Sequence, residues 1–164
     1  MVQVRVLGVA LDAAMQHIVL LKPVGDDADA ERVLPIWVGA QEATSIAIAI
    51  AGEHARRPLT HDLMITVLET LHATVERVEV TRIDNGTFYG EITVGGAAGT
   101  SVLDARPSDS IALAVRADAP IWVADEVLDE SGIPADIVQF GGDDAKLEEF
   151  KRFLNDVNPE DFQG

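Results

Sequence analysis

The stretch TVERVEVTRIDNGTFYGEITV, Thr74 to Val94, decides the fold. Two strand-like runs, Thr74 to Ile83 and Thr87 to Val94, flank Asp84-Asn85-Gly86. Asn-Gly supplies the two positive φ values that a type I′ turn needs, and that turn joins antiparallel strands. An all-parallel sheet is therefore excluded. Upstream, RRPLTHDLMITVLETLH predicts a helix: Thr60 is an N-cap, Asp62 sits in the first turn, and Met64, Val67, Leu68 and Leu71 form one apolar stripe. In GAQEATSIAIAIAGE two periods compete. Ile46, Ile48 and Ile50 alternate as in a strand, while Ala43, Ile46, Ala47 and Ile50 fit a helix face. The alanine content and Gly52 as a stop favour a mostly buried helix.

Nearer the N-terminus, Val2, Val4 and Val6 alternate with Gln3 and Arg5, and His17 to Leu21 and RVLPIWV at Arg32 to Val38 predict two more strands. Pro35 places the latter at an edge or irregularity. VGDDADAE between them is a solvated loop. Downstream, Gly95-Gly96 turns the chain towards Thr100–Leu103, a helix runs to about Ala117, and a strand spans Ile121 to Ala124. DDAKLEEFKRFLNDV is an amphipathic helix with Leu147, Phe150 and Leu154 on one face. PIWV occurs at Pro35–Val38 and Pro120–Val123, at a spacing too irregular to define a repeat. Strands and helices are interspersed around an antiparallel hairpin, so the expected class is mixed α/β, or α+β. The expected division is a folded unit over residues 1–135 and an acidic helical tail over 136–164.

The chain has 164 residues, 48% hydrophobic and 24% charged, an ordinary globular balance. It lacks cysteine, which excludes disulfides and thiolate metal sites. No run approaches the ~20 apolar residues of a membrane span, and the N-terminal apolar run is too short for a secretory segment. The expectation is a soluble cytoplasmic protein with no membrane partner. The net charge is −16, and from Asp125 to Gly164 twelve acidic residues face three basic ones. Such a surface repels nucleic-acid phosphates unless a local cationic cluster or a bound divalent ion intervenes.

Three charged constellations stand at helix starts. In DARPSDSIALA, Asp104 to Ala114, Pro107 fits a first helical turn, and Ser108 or Asp109 can satisfy its free donors. Capping does not account for Asp104 and Arg106, which end a strand on the approach to the helix. Carboxylates beside a guanidinium can hold a divalent metal and clamp a phosphate oxygen, or form a purely structural pair. RPLTHDL carries Arg57, His61 and Asp62; His61 is a general base, or a polar surface residue. Glu42 in GAQEATS complements a helix dipole, or ligates a metal. Generic hydrolase, Walker and dinucleotide motifs are absent.

The strings LPIWVGAQEA, RPLTHDLM, NGTFYGEITV and LDARPSDSIALA, in this order, resemble the bifunctional nuclease family. The resemblance covers residues 2 to 135. It implies a mixed α/β fold with a curved sheet and flanking helices, a homodimer or higher homo-oligomer, and cleavage of DNA and RNA. Its motif positions fall on Glu42, Arg57, His61, Asp62, Asp104, Arg106, Ser108 and Asp109. With the residue chemistry, the expectation is metal-assisted phosphodiester hydrolysis. Glu42, Asp104 and Asp109 would hold Mg²⁺ or Mn²⁺, and Arg57, Arg106 and Ser108 would bind the substrate. His61, held by Asp62 or a neighbour, would take the proton from water. The alternative is a non-catalytic oligomeric binding module acting through protein or small-ligand contacts.

Overall fold

The hairpin forms as the sequence requires. In a computed structural model that describes residues 1–25 and 31–136, β4 (Ala73–Asp84) and β5 (Thr87–Gly96) pair antiparallel. Asn85 and Gly86 turn between them at φ 48° and 76°. Three further strands precede them, β1 (Val2–Leu11), β2 (His17–Pro23) and β3 (Arg32–Trp37), and β6 (Gly99–Ala105), β7 (Ile121–Val123) and β8 (Ile133–Pro134) follow. All eight join one sheet in the order β6-β5-β4-β7-β1-β2-β3-β8. Every pairing is antiparallel except β4 with β7, where Val78 to Val80 run parallel to Ile121 to Val123. The sheet is mixed, and the fold is α+β. Pro35 is tolerated because β3 pairs with β2 at that point, while β8 reaches only Arg32 and Val33 on the other side.

The helices are α1 (Ala40–Ile50), α2 (Thr60–Thr70), α3 (Pro107–Ala117) and α4 (Asp125–Ser131). α3 is the hub. It packs on β4 and β5 and touches both α1 and α2. Ile111, Ala112, Leu113 and Ala114 are fully buried in its centre, and Ile46 of α1 and Val78 and Val80 of β4 belong to the same core. Small residues let α3 approach closely. A side chain at Gly90 of β5 would start 3.1 Å from the Ala105 carbonyl and 3.3 Å from Pro107 Cα, so glycine seats the start of α3 on the strand.

Three expectations need correction. Thr60 is not the N-cap of α2: Leu59 is, and Asp62 reaches back to accept its N–H at 2.8 Å. The stripe on α2 is largely open to solvent, with Met64, Val67 and Leu71 exposed; of its members Leu68 packs on the core, together with Ile65. Ile50 leaves the buried face of α1 at the helix end and is exposed. α4 and β8 carried no sequence signal, being short. The expected helix bearing Leu147, Phe150 and Leu154 lies outside the described residues. Among those described, no helix is long and apolar enough to cross a membrane.

Core burial predicts a sharp contrast in urea titrations. Ile111→Ala, at a fully buried site, should cost about 2–5 kcal/mol. Leu71→Ala, at an exposed site, should stay within about 0.5 kcal/mol.

Candidate functional site

α3 starts with Arg106 as its N-cap and Pro107 in the first turn, where the missing N–H costs nothing. Asp109 was expected to cap this helix, but its carboxylate turns sideways. Oδ2 accepts Nε–H of Arg106 at 2.7 Å, and Oδ1 accepts Nη2–H of Arg106 at 3.1 Å. The other Nη2 hydrogen goes to Glu42 Oε1 in the first turn of α1, at 2.9 Å. Nη1 makes no hydrogen bond among the described residues. The Arg106 side chain is 66% exposed, against 18% for Glu42 and 25% for Asp109. A guanidinium is thus held rigid from below and left open above. Burial pushes the Asp109 carboxyl up, but hydrogen bonds from Arg106 and His61 and the Arg106 charge outweigh it and hold it below the ordinary aspartate range.

His61 lies behind Asp109 and is buried. Its Nε2 is 2.9 Å from Asp109 Oδ1, and its Nδ1 is 2.8 Å from the Ser45 hydroxyl. Ser45 Oγ also accepts Nη2–H of Arg116 at 2.9 Å, so its own proton points at Nδ1. Nε2 then carries the ring proton and donates to Asp109, an assignment that follows from the network. Arg116, with a side chain only 9% exposed, also gives Nε–H to Asp62 at 2.7 Å, Nη1–H to the Ala112 carbonyl and Nη2–H to the Ser45 carbonyl. Burial pushes Asp62 up as well, and hydrogen bonds from Arg116 and the Leu59 N–H hold it low. The series Asp62–Arg116–Ser45–His61–Asp109–Arg106–Glu42 ties together the three helices α1, α2 and α3.

Glu42, His61, Asp62, Arg106 and Asp109 are therefore brought together. His61 is held by Ser45 and Asp109, not by Asp62. Arg57 stands exposed between α1 and α2 and makes no ion pair or hydrogen bond among the described residues. Asp104 is exposed on β6, in register with Glu91 of β5, and takes no part in the network. Among the described residues, no group of three His, Asp or Glu side chains is arranged to hold a metal ion. Glu42 and Asp109 already give oxygens to Arg106. As folded, this donor set does not fit the Mg²⁺ or Mn²⁺ expected at Glu42, Asp104 and Asp109.

Ser45, Arg116 and Gly39 were missed. Arg116 left a faint signal, a single cation in the apolar run IALAVRA. Ser45 sits among alanines and isoleucines with nothing to distinguish it. Gly39 precedes α1, and the Glu42 carboxylate lies where a side chain at 39 would begin. Any Cβ there would push Glu42 away from Arg106.

Arg106 opens on a cleft of about 420 Å³ lined by Trp37, Gly39, Phe88, Arg106, Pro107 and Ser108, among others. Ser108 makes no side-chain hydrogen bond among the described residues. The starts of α1 and α3 both meet this cleft, and their first-turn N–H groups carry partial positive charge.

The bifunctional nuclease domain matches residues 19–136. An uncharacterised protein of Mycobacterium tuberculosis is 34% identical over 169 aligned positions, covering 98% of this chain and 98% of the relative. Bifunctional nuclease 1 of Oryza sativa subsp. indica is 26% identical over 125 positions, 74% of this chain and 37% of the rice protein. The bifunctional nuclease of Oryza minuta matches with the same figures.

Two stability measurements test the network. Arg116→Ala should lose about 1.5–3 kcal/mol, the range for hydrogen bonds to a charged group. Asp62 and Asp109 titrate lower folded than unfolded, so their stabilisation is complete above the unfolded value of about 3.9 and disappears as pH falls through the lower folded values. Asp109→Asn should flatten the acid limb of a plot of stability against pH below about pH 4. An unchanged limb would show that Asp109 is not held by Arg106 and His61.

Proposed function

The chain belongs to the bifunctional nuclease domain family, and from that premise we propose that it cleaves phosphodiester bonds of nucleic acid in the cleft beside Arg106. One observation carries this reading: two carboxylates clamp a guanidinium that remains two-thirds exposed, with Nη1 free to donate. Arg116, by contrast, is largely buried and engages all three of its nitrogens with protein oxygens.

Arg106 takes a non-bridging phosphate oxygen through Nη1, and the planar guanidinium suits that oxygen's geometry. The first turn of α3 and the unbonded Ser108 hydroxyl support a second oxygen. Glu42 Oε2 accepts no hydrogen bond among the described residues and lies beside the cleft wall at Gly39. It takes a proton from water as the water oxygen bonds to phosphorus. The bond to the leaving oxygen breaks on the opposite side, and that oxygen is protonated from solvent. His61 is a positioning residue. Both its nitrogens are engaged, and it fixes the Asp109 carboxylate that orients Arg106. Rigid donors aimed at developing negative charge supply most of the stabilisation in chemistry of this kind.

Arg106→Ala should lower kcat/KM on DNA and RNA by about 10²–10³-fold. It should change stability by no more than about 1 kcal/mol, because the guanidinium it removes is two-thirds exposed to solvent, which screens its ion pairs. Glu42→Gln should lower kcat by about 10²–10⁴-fold with little change in KM. Cleavage should survive EDTA. Activity abolished by EDTA and restored by Mn²⁺ would overturn the metal-free course. Undiminished cleavage by Arg106→Ala purified in parallel would point to a contaminating nuclease.

A further inference from the structure

Trp37 is 53% exposed, an unusual position for the largest apolar side chain in a folded unit. It is not loose. Its Nε1–H donates to Asp12 Oδ2 at 2.9 Å. The other oxygen of Asp12 accepts the backbone N–H groups of Ala14 and Gln16 at 2.8 and 2.9 Å. The turn between β1 and β2 therefore grips the ring by its edge and leaves the side chain half open. The ring borders the same cleft as Arg106, with Phe88 as an apolar wall at the tip of the β4–β5 hairpin. At about 420 Å³ the cleft falls within the range of small-ligand sites, about 300–1,000 Å³.

An anchored, open aromatic ring in the same cleft as an exposed guanidinium offers the two kinds of contact that a nucleic-acid strand presents, a flat base and a charged phosphate. We propose that Trp37 is a base-stacking platform for a single-stranded segment whose phosphate lies on Arg106. This rests on the function proposed above and narrows its substrate to an unpaired strand. A base inside a duplex has both faces covered by its neighbours, and only an unpaired one can lay a face on Trp37. Every base has such a face, so the subsite tolerates any sequence. It accommodates DNA and RNA alike, because nothing in the contact reads a 2′-hydroxyl. Asp12 is a positioning residue. It holds the indole edge so that binding does not have to order the ring.

The test is binding, read separately from cleavage. A Trp122→Phe background leaves Trp37 as the only tryptophan, since the chain has two. A short oligothymidylate should quench its fluorescence, and the same strand annealed to oligoadenylate should quench it far less. By fluorescence anisotropy of a labelled oligothymidylate, Trp37→Ala should weaken affinity about 5- to 150-fold, the equivalent of one stacked base. Trp37→Phe should retain most of the affinity, and Asp12→Ala should lose part of it. If Trp37→Ala binds and cleaves the single strand as well as the wild type, the stacking platform is overturned while the nuclease reading stands. Equal quenching by duplex and single strand also overturns it. If the wild-type protein neither binds nor cleaves the oligonucleotide, both fall.

Discussion

The guanidinium of Arg116 is where α1, α2 and α3 meet. It hydrogen-bonds Asp62 on α2, both polar groups of Ser45 on α1, and a carbonyl of its own helix. A charge this deep requires close partners, because an uncompensated buried charge costs its desolvation. The positions of Ser45, Asp62 and Ala112 are therefore coupled. Ser45 in turn sets which nitrogen of His61 carries the proton, and His61 sets the orientation of Asp109. The exposed end of the series, Arg106, inherits its rigidity from the buried end. That rigidity separates Arg106 from an ordinary surface arginine, whose ion pairs are weak and mobile.

Charge makes the arrangement more pointed. A net charge of −16 opposes the approach of any polyanion, and the cleft has to overcome that locally. Three features converge there: an open guanidinium and the positive ends of two helices. Glu42 and Asp109 offset the formal charge of Arg106. They also raise its hold on the proton, mainly through the Asp109 hydrogen bonds. The attraction is thus short-ranged and directional. Under the proposed function it would favour a phosphate already delivered to the cleft, and stacking on Trp37 would add an attraction that does not depend on charge.

At the start of α3 the capping and functional interpretations divide by residue. Pro107 opens the helix as any first-turn proline does. Asp109 stands where a helix-capping carboxylate would stand and is drawn away by Arg106 and His61. Asp62 does cap α2, accepting the Leu59 N–H, and holds Arg116 with its other oxygen. One carboxylate can serve both roles because its two oxygens point in different directions. Sequence spacing gives the distance from a helix start but not the direction of a side chain.

What the sequence determined by itself was local. The Asn-Gly turn and its two strands, the run of α3 from Pro107 to Ala117 and the stop at Gly52 all follow from backbone preferences within a few residues, and all are present. The polar residues worth watching were legible too, because five of the eight lie in the network. What only tertiary structure decided was partnership. His61 finds Asp109 forty-eight positions away, Arg106 finds Glu42 across sixty-four, and Arg116 finds Ser45 across seventy-one. Those pairings exist because α3 is seated on β5 and flanked by α1 and α2, so that three helix segments bring their polar groups to one point. Asp104, equally acidic and only two residues from Arg106, was left facing solvent because it lies on β6, an edge strand whose residues are exposed from Gly99 to Asp104.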